Sequence, residues 1–115
     1  MTTKLNKTAL EHARSLVKQG KVVKDDRDDW SEANPSADEE NAFLDKHGWA
    51  EYAKWHLGVD EEKSEETKGR FSFPYGDFSK VRRGGVIAAE GRAAQNDYDD
   101  IATAVKELLK LIDGG

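Results

Sequence analysis

The sequence predicts an all-α protein: a compact bundle of about five short helices with an ordered aromatic loop over 70–78. Three observations carry that prediction. Ile101, Ala104, Val105, Leu108, Leu109 and Ile112 recur at helical spacing and form the cleanest apolar stripe in the chain. Leu5, Ala9, Ala13, Leu16 and Val17 repeat the period near the N-terminus, and Gly20 stands where a left-handed cap would close that helix. Between them, Ser36 followed three residues later by Glu39 has the pattern of a capping box.

The first helix is expected over 3–19, with Lys4, Lys7, Glu11, Arg14 and Lys18 on its wet face. Val22 and Val23 allow a short extended piece. The stretch 25–34 is too acidic and too rich in breakers for regular structure, and Trp30 is its expected anchor to the core. After Pro35, a helix over 37–46 places Asp38, Glu39 and Glu40 near the positive end of its dipole and buries Phe43, with Leu44 beside it. His47-Gly48 interrupts it, and a short helix over 49–57 follows, carrying Trp49, Tyr52, Ala53, His56 and Leu57 until Gly58 ends it.

Residues 60–69 hold no apolar group and read as a solvated loop. Phe71, Phe73 and Tyr75 then alternate, which permits a very short strand. A strand without a partner is unstable, so an ordered loop turning at Pro74 and Gly76 is the expected form, with its aromatics plugged into the core. Two helices close the chain, one from 78 or 79 to 95 and one over 97–112. Their short connection makes them antiparallel or sharply angled. The chain divides into a first helix (1–24), an acidic loop with two short helices (25–58), a solvated loop (59–69) and the aromatic loop with the terminal helix pair (70–115), all within a single helical domain of 115 residues.

Around these last segments the chain resembles a family. The order Phe73-Pro74-Tyr75-Gly76-Asp77 after an aromatic, then Val81-Arg82, Ala88-Ala89 and Arg92-Ala93-Ala94-Gln95, then Asp100-Ile101, is similar to a family of small uncharacterised bacterial proteins. The likeness covers the second half well and the first half loosely. It implies a compact domain and no activity.

Composition narrows the chemistry. There is no cysteine, which removes disulfides, thiolate catalysis and Cys-based zinc sites. No apolar run approaches the ~20 residues of a membrane span, and the N-terminus lacks a signal-peptide pattern, so a soluble cytoplasmic protein is expected. Net charge is -5, unevenly spread. Residues 1–24 carry six bases and one acid (+5), and 25–66 carry four and fifteen (-11). Residues 67–92 carry six and two (+4), and 93–115 carry two and five (-3). Blocks of alternating sign favour pairing within the molecule as much as any external partner.

Each remaining constellation has a structural use beside a functional one. Phe71, Phe73, Tyr75 and Phe78, interleaved with cations, have the ingredients for stacking on single-stranded nucleic acid. With few large aliphatics in the chain, filling the core is the better use for them. Gly84-Gly85 inside a helical pattern points to close packing against another helix, aided by Ala88, Ala89 and Gly91, since no phosphate-loop motif is present. His47 and Glu51 share a helical spacing broken by Gly48, no third ligand is in view, and His56 is expected against Tyr52 or Trp49, so no metal is expected. The carboxylate runs look like caps and solvated faces, and nothing matches a nucleophile motif, so no catalytic residue is expected. Gly114-Gly115 follows an amphipathic helix and reads as its frayed end.

What remains is a small non-enzymatic interaction domain without a cofactor, a monomer or weak homodimer, directed at a protein partner. Its candidate surface is the basic edge Lys68, Arg70, Lys80, Arg82 and Arg83. The first alternative is a nucleic-acid module using that same edge within 68–92, together with Arg92. The second is a small-molecule or enzymatic site near Trp49, Tyr52, His56 and Tyr75.

Overall fold

Two small sheets interrupt the helices, so the protein is mixed α/β and the all-α expectation is corrected. The computed structural model describes residues 3–114. In chain order the elements are β1 (Thr3–Leu5), α1 (Lys7–Lys18), β2 (Val22–Val23), a 3-10 turn (Arg27–Asp29), α2 (Trp30–Ala33), α3 (Ala37–His47) and α4 (Trp49–Ala53). They continue with β3 (His56–Asp60), a 3-10 turn (Lys68–Arg70), β4 (Phe71–Pro74), β5 (Val81–Arg82), α5 (Arg83–Gln95) and α6 (Asp99–Gly114).

The central strand β3 pairs antiparallel on both sides, with Lys4 of β1 opposite Val59 and Ser72 of β4 opposite Gly58. A second, two-stranded sheet joins β2 to β5 in parallel, Val22 opposite Val81. The helical reading failed at β3 for a definable reason. Tyr52, Ala53, His56 and Leu57 do fall at helical spacing, but α4 stops at Ala53, and the four residues from His56 to Val59 are all buried. A strand covered on both faces is continuously apolar and carries no alternation to read. Gly58 looked like a helix terminator, yet its role is steric. A Cβ there would lie 2.5 Å from Ser72 Oγ and 2.6 Å from the Phe73 ring across the sheet. Once β3 is a strand, the segment after Arg70 has the partner it was thought to lack, and Phe71–Pro74 forms β4.

The long amphipathic helices follow their stripes, except that the first begins at Lys7 and not at residue 3, Leu5 lying in β1. Helix α1 buries Ala9, Leu10, Ala13 and Leu16, and α6 buries Ile101, Ala104, Val105, Leu108 and Ile112. With Val86, Ala89 and Ala93 of α5, and Leu57, Phe73, Tyr75 and Val81 from the sheets and their connection, they make one continuous core. Helix α3 carries the expected capping box in full: Glu39 N–H donates to Ser36 Oγ (3.2 Å) and Ser36 N–H to Glu39 Oε1 (3.1 Å). Phe73 and Phe78, both with positive φ (58° and 67°), hold strained backbone in place through their packing. Phe73 is buried against Tyr98 and Phe78 stacks on Phe43.

The glycines of α5 do mark close packing: Gly84 meets the loop backbone of the acidic segment, and Gly85 meets the short helix α2. Gly84 sits against the Asp26 backbone and Gly85 lies under the Trp30 ring, 2.9 Å from where a Cβ would stand. Gly91, in contrast, faces open space. Asp25 accepts the Gly84 N–H (2.7 Å), which satisfies an orphan amide in the first turn of α5. So part of the stretch read as irregular is a built platform for that helix, and it contains the short helix α2 that the sequence did not reveal. Gly114 lies inside α6, and Gly115 falls outside the described residues. No helix among the described residues is long and apolar enough to cross a membrane.

Candidate functional site

Four of the five cations singled out in the sequence are engaged by other groups of the fold. Lys68 pairs with Glu40 of α3 at 3.2 Å. Arg70 donates to the backbone carbonyls of Lys63 (2.7 Å) and Glu61 (3.4 Å) and lies over the Phe71 ring. Arg82 is held between Asp77 (2.8 Å) and Asp25 (3.5 Å), and Arg83 grips Asp113 of α6 at 2.8 Å. Hydrogen bonding to Asp77 and to Asp113 raises the two guanidinium pKa values still further. Lys80 is exposed, and its ammonium has no partner among the described residues. Four of the five side chains therefore join separate elements of the fold, as the alternating charge blocks allowed.

The aromatic set divides in two. His56, only 4% exposed, donates through Nδ1–H to the Tyr52 carbonyl at 3.0 Å, which fixes the Nδ1–H tautomer, because a carbonyl can only accept. Its ring packs against Tyr52 and Phe71. Tyr75 lies apart from these, fully buried and stacked on Trp55. The Tyr75 hydroxyl donates to the Lys54 carbonyl (2.6 Å), so it must accept from His12 Nδ1 (2.9 Å), which fixes a second Nδ1–H histidine. Burial pushes the Tyr52 and Tyr75 phenols far above their ordinary range. The cavity beside His56, Pro74 and Phe78 holds about 40 Å³, room for a water molecule and nothing larger. No three His, Asp or Glu side chains among the described residues are arranged to hold a metal ion.

Burial also lowers the pKa of His56 and of His12, against the opposing hydrogen bonds to backbone carbonyls and, at His56, the nearby Glu40 charge. Both imidazoles are more easily protonated in the unfolded chain, so unfolding takes up protons as the pH falls. The stability that neutral imidazoles contribute is complete above about pH 6.5 and declines as the pH drops through the usual histidine range. The carboxylates held below their ordinary pKa by Lys54, Lys4 and Arg83 (Glu51, Glu61 and Asp113) act only at lower pH. Melting temperature should therefore fall between about pH 7 and pH 5, and His56→Phe should make that slope shallower. An unchanged slope in the variant would show that His56 does not titrate with unfolding.

Openings of ligand size lie elsewhere, and of three with similar volume among the described residues one has an aromatic lining. A groove of about 450 Å³ runs between the start of α1, helix α4, strand β3 and the connection to β4. Trp49, Ala50, Ala53, Val59 and Phe71 form its apolar lining. Glu61, Glu65 and Glu66 stand along one rim with Arg70. Its volume lies within the range of ordinary small-ligand and peptide pockets.

Each wall has a local cause. Asn6 Nδ2 donates to the carbonyls of Ala53 (3.0 Å) and His56 (3.2 Å), and Asn6 N–H donates to Leu57 (2.8 Å), pinning the start of α1 against the turn between α4 and β3. Trp49 packs edge-on to Tyr52 and lies nearly parallel to Phe71, with centroids 6.4 Å apart. Arg70 draws the 61–63 backbone toward β4, so this cation builds the rim that carries the acids. Of the predicted candidates, Trp49 and Arg70 reach this groove, whereas Tyr52, His56, Tyr75, Lys68, Lys80, Arg82 and Arg83 do not line it. Asn6, Thr8, Ala50, Ala53, Val59, Glu61, Glu65 and Glu66 are lining residues that the sequence did not point to, and Phe71 stood out there only as a stacking or core aromatic.

No protein-family model matches the chain, and neither a curated protein nor a solved structure shows significant similarity to it.

Proposed function

We propose that the protein is a non-enzymatic interaction domain that seats a polypeptide segment of a protein partner in the groove between α4, β3 and the 61–71 connection. The observation that carries this reading is the groove itself: an apolar floor containing the half-buried Trp49 and Phe71, with exposed Ala50 between polar rims. Aromatic anchors surrounded by polar residues are where binding energy concentrates in protein interfaces. Small alanines on the floor let a peptide backbone approach closely. Buried His56 and Tyr75 support the non-enzymatic side of the reading, because their hydrogen bonds run inward to the Tyr52 and Lys54 carbonyls.

The nucleic-acid alternative has less behind it. Backbone neutralisation needs cations that are available to phosphate. Arg82 and Arg83 are already matched by Asp25, Asp77 and Asp113, and the groove's aromatics stand beside three glutamates.

Ala50 provides a clean test because its side chain is exposed and supports no core contact. Random peptides displayed on phage and selected on the wild-type protein should enrich sequences that compete with one another. Ala50→Trp, which fills the groove, should weaken them by about 100-fold or more, in line with loss of an interface hot spot. In the same series a generic single-stranded oligonucleotide should bind neither protein at low salt. Enriched peptides indifferent to Ala50→Trp, or oligonucleotide binding lost in an Arg82→Ala/Arg83→Ala variant, would overturn the proposal.

A further inference from the structure

Resting on the groove reading, the chemistry of the rim points to a particular occupant: we infer that the groove takes an extended peptide segment bearing lysine or arginine side chains, one of them laid against Trp49 and Phe71 beneath Glu65 and Glu66. Residues 60–66 hold five acids and one base, a local net of -4. Three of those acids, Glu61, Glu65 and Glu66, line the groove against a single lining cation, Arg70.

The lining charges differ in how far they are already committed. Glu61 is paired with Lys4 at 2.7 Å. Arg70 is turned onto the Glu61 and Lys63 carbonyls and the Phe71 ring. The carboxylates of Glu65 and Glu66 are exposed and make no ion pair or hydrogen bond among the described residues. The groove thus keeps two unmatched negative charges at the mouth of an aromatic floor.

That combination selects a cation. A guanidinium or ammonium gains from the face of an indole or phenyl ring and from a carboxylate above it, while its aliphatic stem covers apolar surface. An acidic peptide or a phosphate would meet repulsion at the same place. The whole chain's charge of -5 adds long-range attraction for a basic segment and steers its approach. The Arg70 guanidinium already lies over the Phe71 ring, which leaves Trp49 as the aromatic face open to an incoming cation. The Ala50 and Ala53 floor and the open ends favour a continuous chain over a compact amine.

Three fluorescently labelled peptides of equal length, alternating leucine and alanine with lysine/arginine, glutamine or glutamate, distinguish the possibilities by anisotropy. The basic peptide should bind at least about tenfold more tightly than the glutamine one, and its affinity should fall about tenfold between roughly 50 and 300 mM salt. Glu65→Gln/Glu66→Gln should bring the basic peptide to the level of the glutamine peptide, and Ala50→Trp should abolish both. Equal binding of the basic and glutamine peptides, unchanged by the glutamine substitutions but lost in Ala50→Trp, overturns the cationic occupant and leaves the groove reading intact. Spermine displacing the basic peptide at an equal affinity overturns it in favour of a simple cation site. Binding of no peptide, or binding indifferent to Ala50→Trp, overturns both.

Discussion

Replacing Gly84 with alanine should destabilise the protein by about 2–3 kcal/mol, the usual cost of forcing atoms into a filled site. The new methyl would collide with the carbonyl of Asp26, which is backbone and has no rotamer to escape into. To make room, the Asp25–Asp26 segment must lift away from α5. That movement loosens the Asp25 bond to the Gly84 amide and the Arg82 pairing that ties β5 to both acids. Gly91→Ala in the same helix is the control. A Cβ there meets nothing within 4 Å, so the substitution should stabilise by about 0.5–1 kcal/mol through helix propensity and reduced freedom of the unfolded chain. Urea unfolding of the two variants should move in opposite directions. Similar midpoints would contradict the seating of α5 on the acidic segment.

Leu108→Ala should cost more, about 2–5 kcal/mol, out of the roughly 5–15 kcal/mol available to a domain of this size. Leu108 is 1% exposed and stands in the α6 stripe between Val105 and Ile112, in the core that α1, α5 and the sheets share. Small side chains dominate the α5 face of that core, so the helices have little further room to close the cavity. Melting temperature should drop by about 10 degrees or more, since each kcal/mol shifts a small domain by roughly 4–8 degrees. An unchanged melting temperature would mean that α6 does not pack on this stripe.

The contrast between these two sites shows what the chain discloses on its own. Leu108 belongs to a period sustained over sixteen helical residues, and α1 has a similar run, so both stripes were visible before any coordinates. The Ser36–Glu39 capping box was equally local. Sheet formation was not, because strands of two to five residues are too short to display a period. Gly58 compounded the difficulty. A glycine after Leu57 fits a helix end as well as a strand position crowded by Ser72 and Phe73, and only the partner strand decides. With β3 hidden, β4 lacked a visible partner.

The site was less legible than the fold. Its floor comes from α4, β3 and β4, and its rim from a loop whose residues looked merely solvated. No segment carries the pattern alone. The basic block was conspicuous in sequence because like charges clustered there, yet the acids that meet it come from far along the chain: Asp25 for Arg82, Glu40 for Lys68 and Asp113 for Arg83. Charge blocks of opposite sign signalled such pairing but could not name the pairs. Trp49 and Arg70, candidates for two different sites in the sequence, both line the groove.

Amide and indole chemical-shift mapping with ¹⁵N-labelled protein tests the central claim most directly. On addition of the basic leucine–alanine peptide, the Trp49 indole and the amides of Ala50, Ala53, Val59, Glu65, Glu66 and Phe71 should shift together with one affinity, while Lys80, Arg82 and Arg83 stay in place. Shifts confined to residues 80–83, or an undisturbed groove at saturating peptide, would contradict the assignment of this groove as the protein's docking site.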